Sequence, residues 1–285
     1  MKIAIDVLVP TCNRPHALAM TLTSLAGQTM DGLRILVSDQ SDDEGVLQHP
    51  EVQAVLRFMA TIGRPVQTWR HLPRRGMAEQ RAFLLAKASA PCCLFLDDDV
   101  LLEKDLIERL HRTLDAQRCG FVGSALHGMS YIDAVRPHQQ RIEFWESTVA
   151  PETVAPDTPA WERHHLHSAA NLFHVQQKLG LTKETTRVYR VAWVGGCVLF
   201  DTAKLRAAGG FEFWRQLPPE HCGEDVLAQL QVMARFGGCG IIPSGAYHME
   251  LPTTIAAREV DAPRVLWPHG AHAAQAPSAC GAAPY

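Results

Sequence analysis

PCCLFLDDDV, residues 91–100, runs five mostly apolar side chains, Cys92 to Leu96, straight into Asp97, Asp98 and Asp99. The apolar part suits a strand buried on both faces, as in parallel sheets covered by helices. Ending such a strand in three carboxylates is costly unless a cation or hydrogen-bond donors meet the charges. In open α/β sheets, ligands bind at the carboxyl ends of strands, where this acidic tip falls. The stretch therefore sets two expectations: a covered, mainly parallel sheet, and a divalent-metal site serving a phosphate-bearing substrate.

The flanking sequence alternates in the same sense. Lys2 to Val9 reads as a central strand closed by Pro10, and Thr11 to Arg14 as a polar turn. Pro15 opens a helix carrying Leu18, Leu22 and Leu25, and Gly27 ends it. Leu33–Val37 and Val66–Trp69 read as strands, Val46–Met59 as a weakly periodic helix, and Gly76–Ala88 as a helix leading into the acidic strand. Downstream, the spacing predicts a helix over Leu101–Leu114 and a strand over Gly120–Ala125. His127 to Thr186 reads as an irregular insertion with prolines at 137, 151, 156 and 159. Val188–Phe200 is strand-like around Gly195 and Gly196, Asp201–Ala208 a short helix, Glu224–Phe236 a helix and Cys239–Ile242 a strand. The alternation argues for an α/β fold, a Rossmann-like, mainly parallel sheet flanked by helices in a single domain over residues 1–260. Residues 261–285 form an Ala/Pro-rich tail expected to wander or cover the surface.

Composition narrows the function classes. With 47% apolar and 20% charged residues the chain of 285 can bury a sizeable core. A net charge of −3 and a pI near 6.5 give no basic surface for nucleic acid. The eight cysteines show no metal-finger or redox spacing and read as buried packing in a reducing compartment. No apolar run is long enough for a membrane helix, and MKIAIDVLVP is too short and interrupted for a signal peptide, so a cytoplasmic protein is expected. The phosphate loop of triphosphatases, the dinucleotide glycine fingerprint and the G-x-S-x-G elbow are all missing from the sequence.

The polar residues carry alternatives. An Asp-x-Asp pair at a strand end puts two side chains on one side of the pleat, so Asp97 and Asp99 are expected to converge on Mg²⁺ or Mn²⁺. The same acids also suit a solvated turn capping the next helix. Asp39, at the tip of the second strand, can accept from a base N–H or a ribose hydroxyl, or simply bond its own turn. Arg75 and Arg81 offer forks for phosphate, whereas Arg70 and Arg74 read as an exposed basic face. Glu224 and Asp225 open the late helix as a cap, or present a general base to a hydroxyl. His248 follows the last strand and is either a third metal ligand or a structural histidine. His164, His165 and His167 lack the second ligand pair that zinc wants and read as surface or acceptor-side residues.

Taken in order, VLVPTCNRP (7–15), VSDQSDDEG (37–45), residues 76–100, WVGGCVLFDTAKLRAAGGF (193–211) and CGEDVLAQLQVMARFG (222–237) resemble the family 2 nucleotide-sugar glycosyltransferases of GT-A fold. The resemblance implies inverting transfer from a nucleoside diphosphate sugar, a UDP-sugar first, to an acceptor hydroxyl. It implies that Asp97 and Asp99 form the D-x-D motif, with Asp98 a lesser partner, and that Pro10, Thr11, Asn13, Arg14 and Asp39 line the nucleoside pocket. Glu224 and Asp225 look like the family's E-D pair, with Asp225 the base, and His248 stands where some members supply a metal ligand. Trp193, Gly195 and Gly196 would bring an aromatic edge and bare backbone to the donor sugar or acceptor, unless Trp193 is core. The halves then read as a nucleotide-sugar half (1–126), the insertion (127–187) and an acceptor and catalytic-base half (188–260). A sugar nucleotidyltransferase and a non-catalytic nucleotide-sugar-binding module are the rivals, and the sequence leaves homo-oligomer formation open.

Overall fold

Side-chain parity along the strands sorts the core into two layers. In the computed structural model, which describes residues 2–43, 45–253 and 259–267, the chain begins β1 (Ile5–Thr11), α1 (Pro15–Ala26), β2 (Leu33–Asp39), α2 (Gly45–Gln48), α3 (Pro50–Thr61), β3 (Val66–Arg70), α4 (Met77–Lys87) and β4 (Cys92–Leu96). It continues through β5 (Val100–Leu102), α5 (Leu106–Gln117), β6 (Phe121–Gly123), α6 (Asn171–Leu179), β7 (Arg187–Tyr189) and β8 (Cys197–Asp201). The described part closes with α7 (Thr202–Ala207), α8 (Glu224–Phe236), β9 (Gly238–Ile242), β10 (Ala246–His248) and α9 (Ala262–Leu266).

Eight strands form one sheet in the order β3-β2-β1-β4-β8-β6-β9-β7, and β8 and β7 run against the rest. It is the mixed, mainly parallel sheet the alternation predicts. Cys93 and Phe95 of β4 pack with Leu84 of α4 and Leu227 of α8, while Leu94 and Leu96 pack with Leu18 of α1 and Leu110 of α5. Each fully buried side chain of this size stabilises by about 1.5–3 kcal/mol, so a strand apolar on both faces is held from both sides. The one acid of β1, Asp6, is fully buried and fully engaged: Arg34 meets both oxygens at 2.8 and 2.9 Å, and the N–H groups of Ser89 and Ala90 donate to Oδ2.

Three departures from the sequence reading bear on the site. The helix expected over 101–114 starts only at Leu106, because Val100–Leu102 pair antiparallel with Ala246–His248 as a separate two-stranded ribbon. The strand-like run 188–200 is two strands on different neighbours, divided by a loop through Gly196, whose φ of +75° is a left-handed turn. The insertion is more ordered than its prolines suggest. It carries α6 and several 3₁₀ turns, and it sinks Trp161, Leu166, Leu172 and Val175 into the α4/α8 layer.

The start of the tail is also anchored. α9 packs against α8, and Trp267 Nε1 donates to Val154 O at 2.9 Å; residues 268–285 lie outside the described residues. The seven described cysteines form no disulfide with one another, and five of them are buried. No helix among the described residues is long and apolar enough to cross a membrane.

Candidate functional site

A cleft of about 590 Å³ opens where β1 and β4 end and α8 begins, and Asp97, Asp98 and Asp99 all line it. The three acids do not continue the pleat. The chain turns at Asp98 and Asp99, and the acids take two sets of partners while Asp97 and Asp99 line the same cleft. Asp97 faces Arg81, whose Nη2 lies 3.0 Å from Oδ1, whereas Asp98 and Asp99 share Arg14.

The β1 side is tightly specified. Thr11 Oγ1 donates to Asp98 Oδ2 at 2.6 Å, and Arg14 Nη1 lies 3.2 Å from Asp98 Oδ1 and 2.7 Å from Asp99 Oδ2. Arg14 Nη2 also donates to the carbonyl of Pro252. Thr21, from α1, donates to the Asp98 carbonyl at 2.8 Å and accepts from the Val100 N–H, fixing the turn from below. Burial pushes Asp98 up to about 6 against the pull of Thr11 and Arg14.

Asp99 meets His248 through the ribbon, since His248 pairs with Val100 and Met249 N donates to Asp99 O. His248 Nε2 lies 3.4 Å from Asp99 Oδ2. Burial raises the Asp99 pKa, but His248 and Arg14 outweigh it and hold the carboxyl below its ordinary range; the hydrogen bond to Asp99 in turn raises His248.

These donors suit a hard divalent cation. Mg²⁺ is commonly held by one or two carboxylates plus substrate phosphates, and Asp99 with His248 offers an oxygen and a nitrogen on one spot beside Asp97. Arg14 already occupies one Asp99 oxygen, so a cation has to compete with the guanidinium. Among the described residues, the three-ligand group with donor atoms within 4.8 Å of one another is instead His16, His49 and Glu51. That group sits at the starts of α1 and α3, where helix dipoles disfavour a cation, and its contacts are those of Glu51 with the two histidine rings.

On the opposite wall Arg81 is buried and bridges Asp97 to Glu224, with Nε 3.0 Å from Glu224 Oε1. Glu224 is thus committed to an ion pair, while the partly buried Asp225 faces the cleft. Burial first, and the Glu224 charge second, push Asp225 up to about 7 against the opposing Arg81. Two side chains outside the cleft lining set this wall. His221 Nε2 accepts from Ala78 N at 3.1 Å and its Nδ1 donates to Pro218 O at 2.7 Å, buckling the loop before α8 onto the start of α4. Gln229 of α8 makes two 2.8 Å hydrogen bonds to the backbone of Val194, which places Trp193 and Gly195 at the cleft edge.

The remaining expected residues divide. Pro10, Thr11, Arg14, Arg81, Trp193, Gly195, Asp225 and His248 line the cleft; Trp193 is half-buried and stacks on His164 with ring centroids 4.9 Å apart. Asp39 is buried behind Cys12: its Oδ1 accepts from Ser41, and its Oδ2 has no hydrogen-bond partner among the described residues. A buried carboxylate oxygen left open there fits a ligand N–H or hydroxyl. Asn13 is exposed, with φ +57°, and ties the β1 turn to Ser41 and Asp42. Arg75 is exposed and absent from the lining; Arg81, one turn into α4, is the arginine brought to the acids. Gly196 lies just beyond, and its carbonyl accepts from Asp97 N at 2.9 Å. Sequence reasoning missed Met77, Leu251, Thr253 and Asp261 in the lining; each comes from a loop or helix end with no periodic signal.

Residues 6–180 match the family model described as Glycosyl transferase family 2. Among curated proteins nothing matches the chain. Among solved structures, S. aureus TarS 1-349 in complex with UDP-GlcNAc is similar with a TM-score of 0.55 at 15% identity, over 89% of this chain and 60% of that one. S. aureus TarS 1-349 is similar at 0.54 and 16% identity, over 84% and 58%. The mannosyltransferase PcManGT from Pyrobaculum calidifontis, in complex with GDP-Man and Mn²⁺, is similar at 0.50 and 16% identity, over 84% and 57%. The chain spans about three fifths of the length of these structures, and likeness at such identity concerns the fold.

Proposed function

The chain belongs to glycosyltransferase family 2, and from that premise we propose that it transfers a sugar, with inversion, from a nucleoside diphosphate sugar to an acceptor hydroxyl. The observation that carries this reading is Asp225, a carboxylate raised to about 7 that opens onto the same cleft as the acidic tip. A base with a pKa near neutrality is well matched to taking a proton from a hydroxyl.

In one displacement the acceptor oxygen attacks the sugar C1, the bond from C1 to the diphosphate oxygen breaks, and its electron pair leaves with the nucleoside diphosphate. The acceptor proton passes to Asp225. Glu224 acts as a positioning residue, holding Arg81 so that its charge neutralises Asp97 beside the base. Mn²⁺ or Mg²⁺, held by Asp99 and His248 with Asp97 adjacent, would supply the charge that stabilises the departing diphosphate. Asp39, with its open oxygen, is the candidate contact to the base, and Asp98 with Thr11 the candidate ribose-side wall. A UDP-sugar is the first-choice donor.

Calorimetry with UDP, GDP and dTDP, with and without Mn²⁺, tests the donor half of the reading, and failure of all three to bind removes it. Asp225→Asn tests the catalytic half. Turnover is expected to fall by roughly 10²–10⁴ with nucleotide affinity retained. Unchanged turnover would leave the pair as a helix cap on a binding module.

A further inference from the structure

Beyond Asp97, Gly195 and His248 the first cleft continues into a second hollow of about 480 Å³. Its outer wall comes from the insertion, through Gly128, Tyr131 and His167, and from Glu250 just after β10. Two features distinguish it from the donor side.

The first is charge. No lysine or arginine lines the hollow; Glu250 does, and so does Asp97, whose charge Arg81 meets from the side of the first cleft. Its histidines do not reverse that balance. His248 is paired with Asp99, and burial brings His167 down to about 4, so it is neutral at physiological pH. The second is a fixed aromatic rim. Tyr131 is 48% exposed, and its place is set by Glu250, which accepts from Ser130 N at 3.1 Å and from Ser130 Oγ at 2.7 Å. The Arg136 guanidinium sits 5.7 Å from the Tyr131 ring centroid. Gly128 eases this closeness, since a Cβ there would come within 3.1 Å of both Ala169 O and Glu250 Oε1. A flat ring with a hydroxyl edge, beside carboxylate acceptors, suits a ligand with an apolar C–H face and donating hydroxyls.

Resting on the transferase reading above, we propose that this hollow takes the acceptor as a neutral, polyhydroxylated saccharide with one ring against Tyr131, and that Glu250 disfavours acceptors bearing phosphate. An added dianion on the Glu250 side would meet a carboxylate, with no lysine or arginine in the lining to pair it, which is selection by repulsion.

The test uses methyl glycosides of glucose, galactose and N-acetylglucosamine, each paired with its 6-phosphate, as acceptors for a UDP-sugar. Neutral glycosides are expected to be used at least about tenfold better than their phosphates. Tyr131→Ala should raise the acceptor KM about five- to tenfold while calorimetric UDP affinity holds. Glu250→Gln, which keeps an oxygen for Ser130, should narrow the discrimination against phosphate. The same glycosides are also titrated by saturation-transfer NMR without donor, where contact should be seen for the neutral members and lost in Tyr131→Ala. A preference for the phosphates, no contact with any neutral glycoside, or indifference to Tyr131→Ala overturns the inference. Because the NMR arm needs no donor, those results are distinguishable from a failure of UDP to bind, which would strike the donor reading instead.

Discussion

Replacing Arg14 with glutamine tests whether its guanidinium and the proposed divalent ion compete for the acidic tip. Arg14 Nη1 lies 2.7 Å from Asp99 Oδ2 and 3.2 Å from Asp98 Oδ1, and the side chains are 17%, 5% and 8% exposed, so solvent screens the contact little. A divalent ion reaching that Asp99 oxygen must displace a charge-assisted bond worth about 1.5–3 kcal/mol. At about 1.4 kcal/mol per decade, Arg14→Gln should tighten Mn²⁺ binding to the nucleotide-free protein by roughly 10- to 100-fold. The same change leaves two nearly buried carboxylates without their cation. Breaking a buried pair costs about 3–5 kcal/mol, and the partial exposure of Arg14 places the loss at the low end of that range. A Tm reduced by about 5–10 °C without metal and largely restored by Mn²⁺ is therefore expected. Titration of free Mn²⁺ by electron paramagnetic resonance measures the affinity, and calorimetric scans with and without Mn²⁺ measure the stability. Equal or weaker Mn²⁺ binding in the variant would refute the competition and make Arg14 a supporting member of the cation site.

Two further outcomes follow from groups on the opposite wall. Asp225 works as a base only when deprotonated, and burial with Glu224 sets it near 7, so kcat/KM should climb about tenfold per pH unit below that value and level off above it. A profile flat across that pH would take Asp225 out of the proton transfer. Gly76→Ala should destabilise the fold by about 1–3 kcal/mol in urea denaturation, since φ is +97° and a Cβ would fall 2.4 Å from the backbone oxygen of Pro219 and 2.6 Å from His221 Cε1. Wild-type stability in that variant would show that the 218–221 loop does not rest on α4 in solution.

Parallel strands buried on both faces leave a plain trace, so β1, β2 and β4 and the edge they share can be read directly from apolar runs ending in Thr11, Asp39 and Asp97. Asp225 is legible for a similar reason, as an acid at the start of a periodic helix. The partners of the acids are not. Pleat parity lapses at the turn, and the guanidinium of Arg14 crosses from another strand end to take two of the three. The ribbon of β5 with β10 mimics the start of a helix because Leu101, Leu102 and Leu106 also fit helical spacing, and its true partner lies far along the chain. Tyr131 and Glu250 carry no local pattern at all. They meet only through the hydrogen bonds of Ser130, a contact no windowed reading can see.

The ribbon also ties the site to the rest of the fold. Its three residue pairs join the segment just after the acidic tip to one near the end of the described chain, and α5 through β9 lie between them. Closing so long a loop carries an entropy cost that three pairs of strand residues cannot meet alone. The ribbon therefore depends on the intervening sheet and helices to hold its two ends near one another. The β1 side of the cleft is built mostly from residues before 100, whereas His248 reaches Asp99 only through this long-range pairing, so the pair that would hold a cation depends on the whole domain being folded.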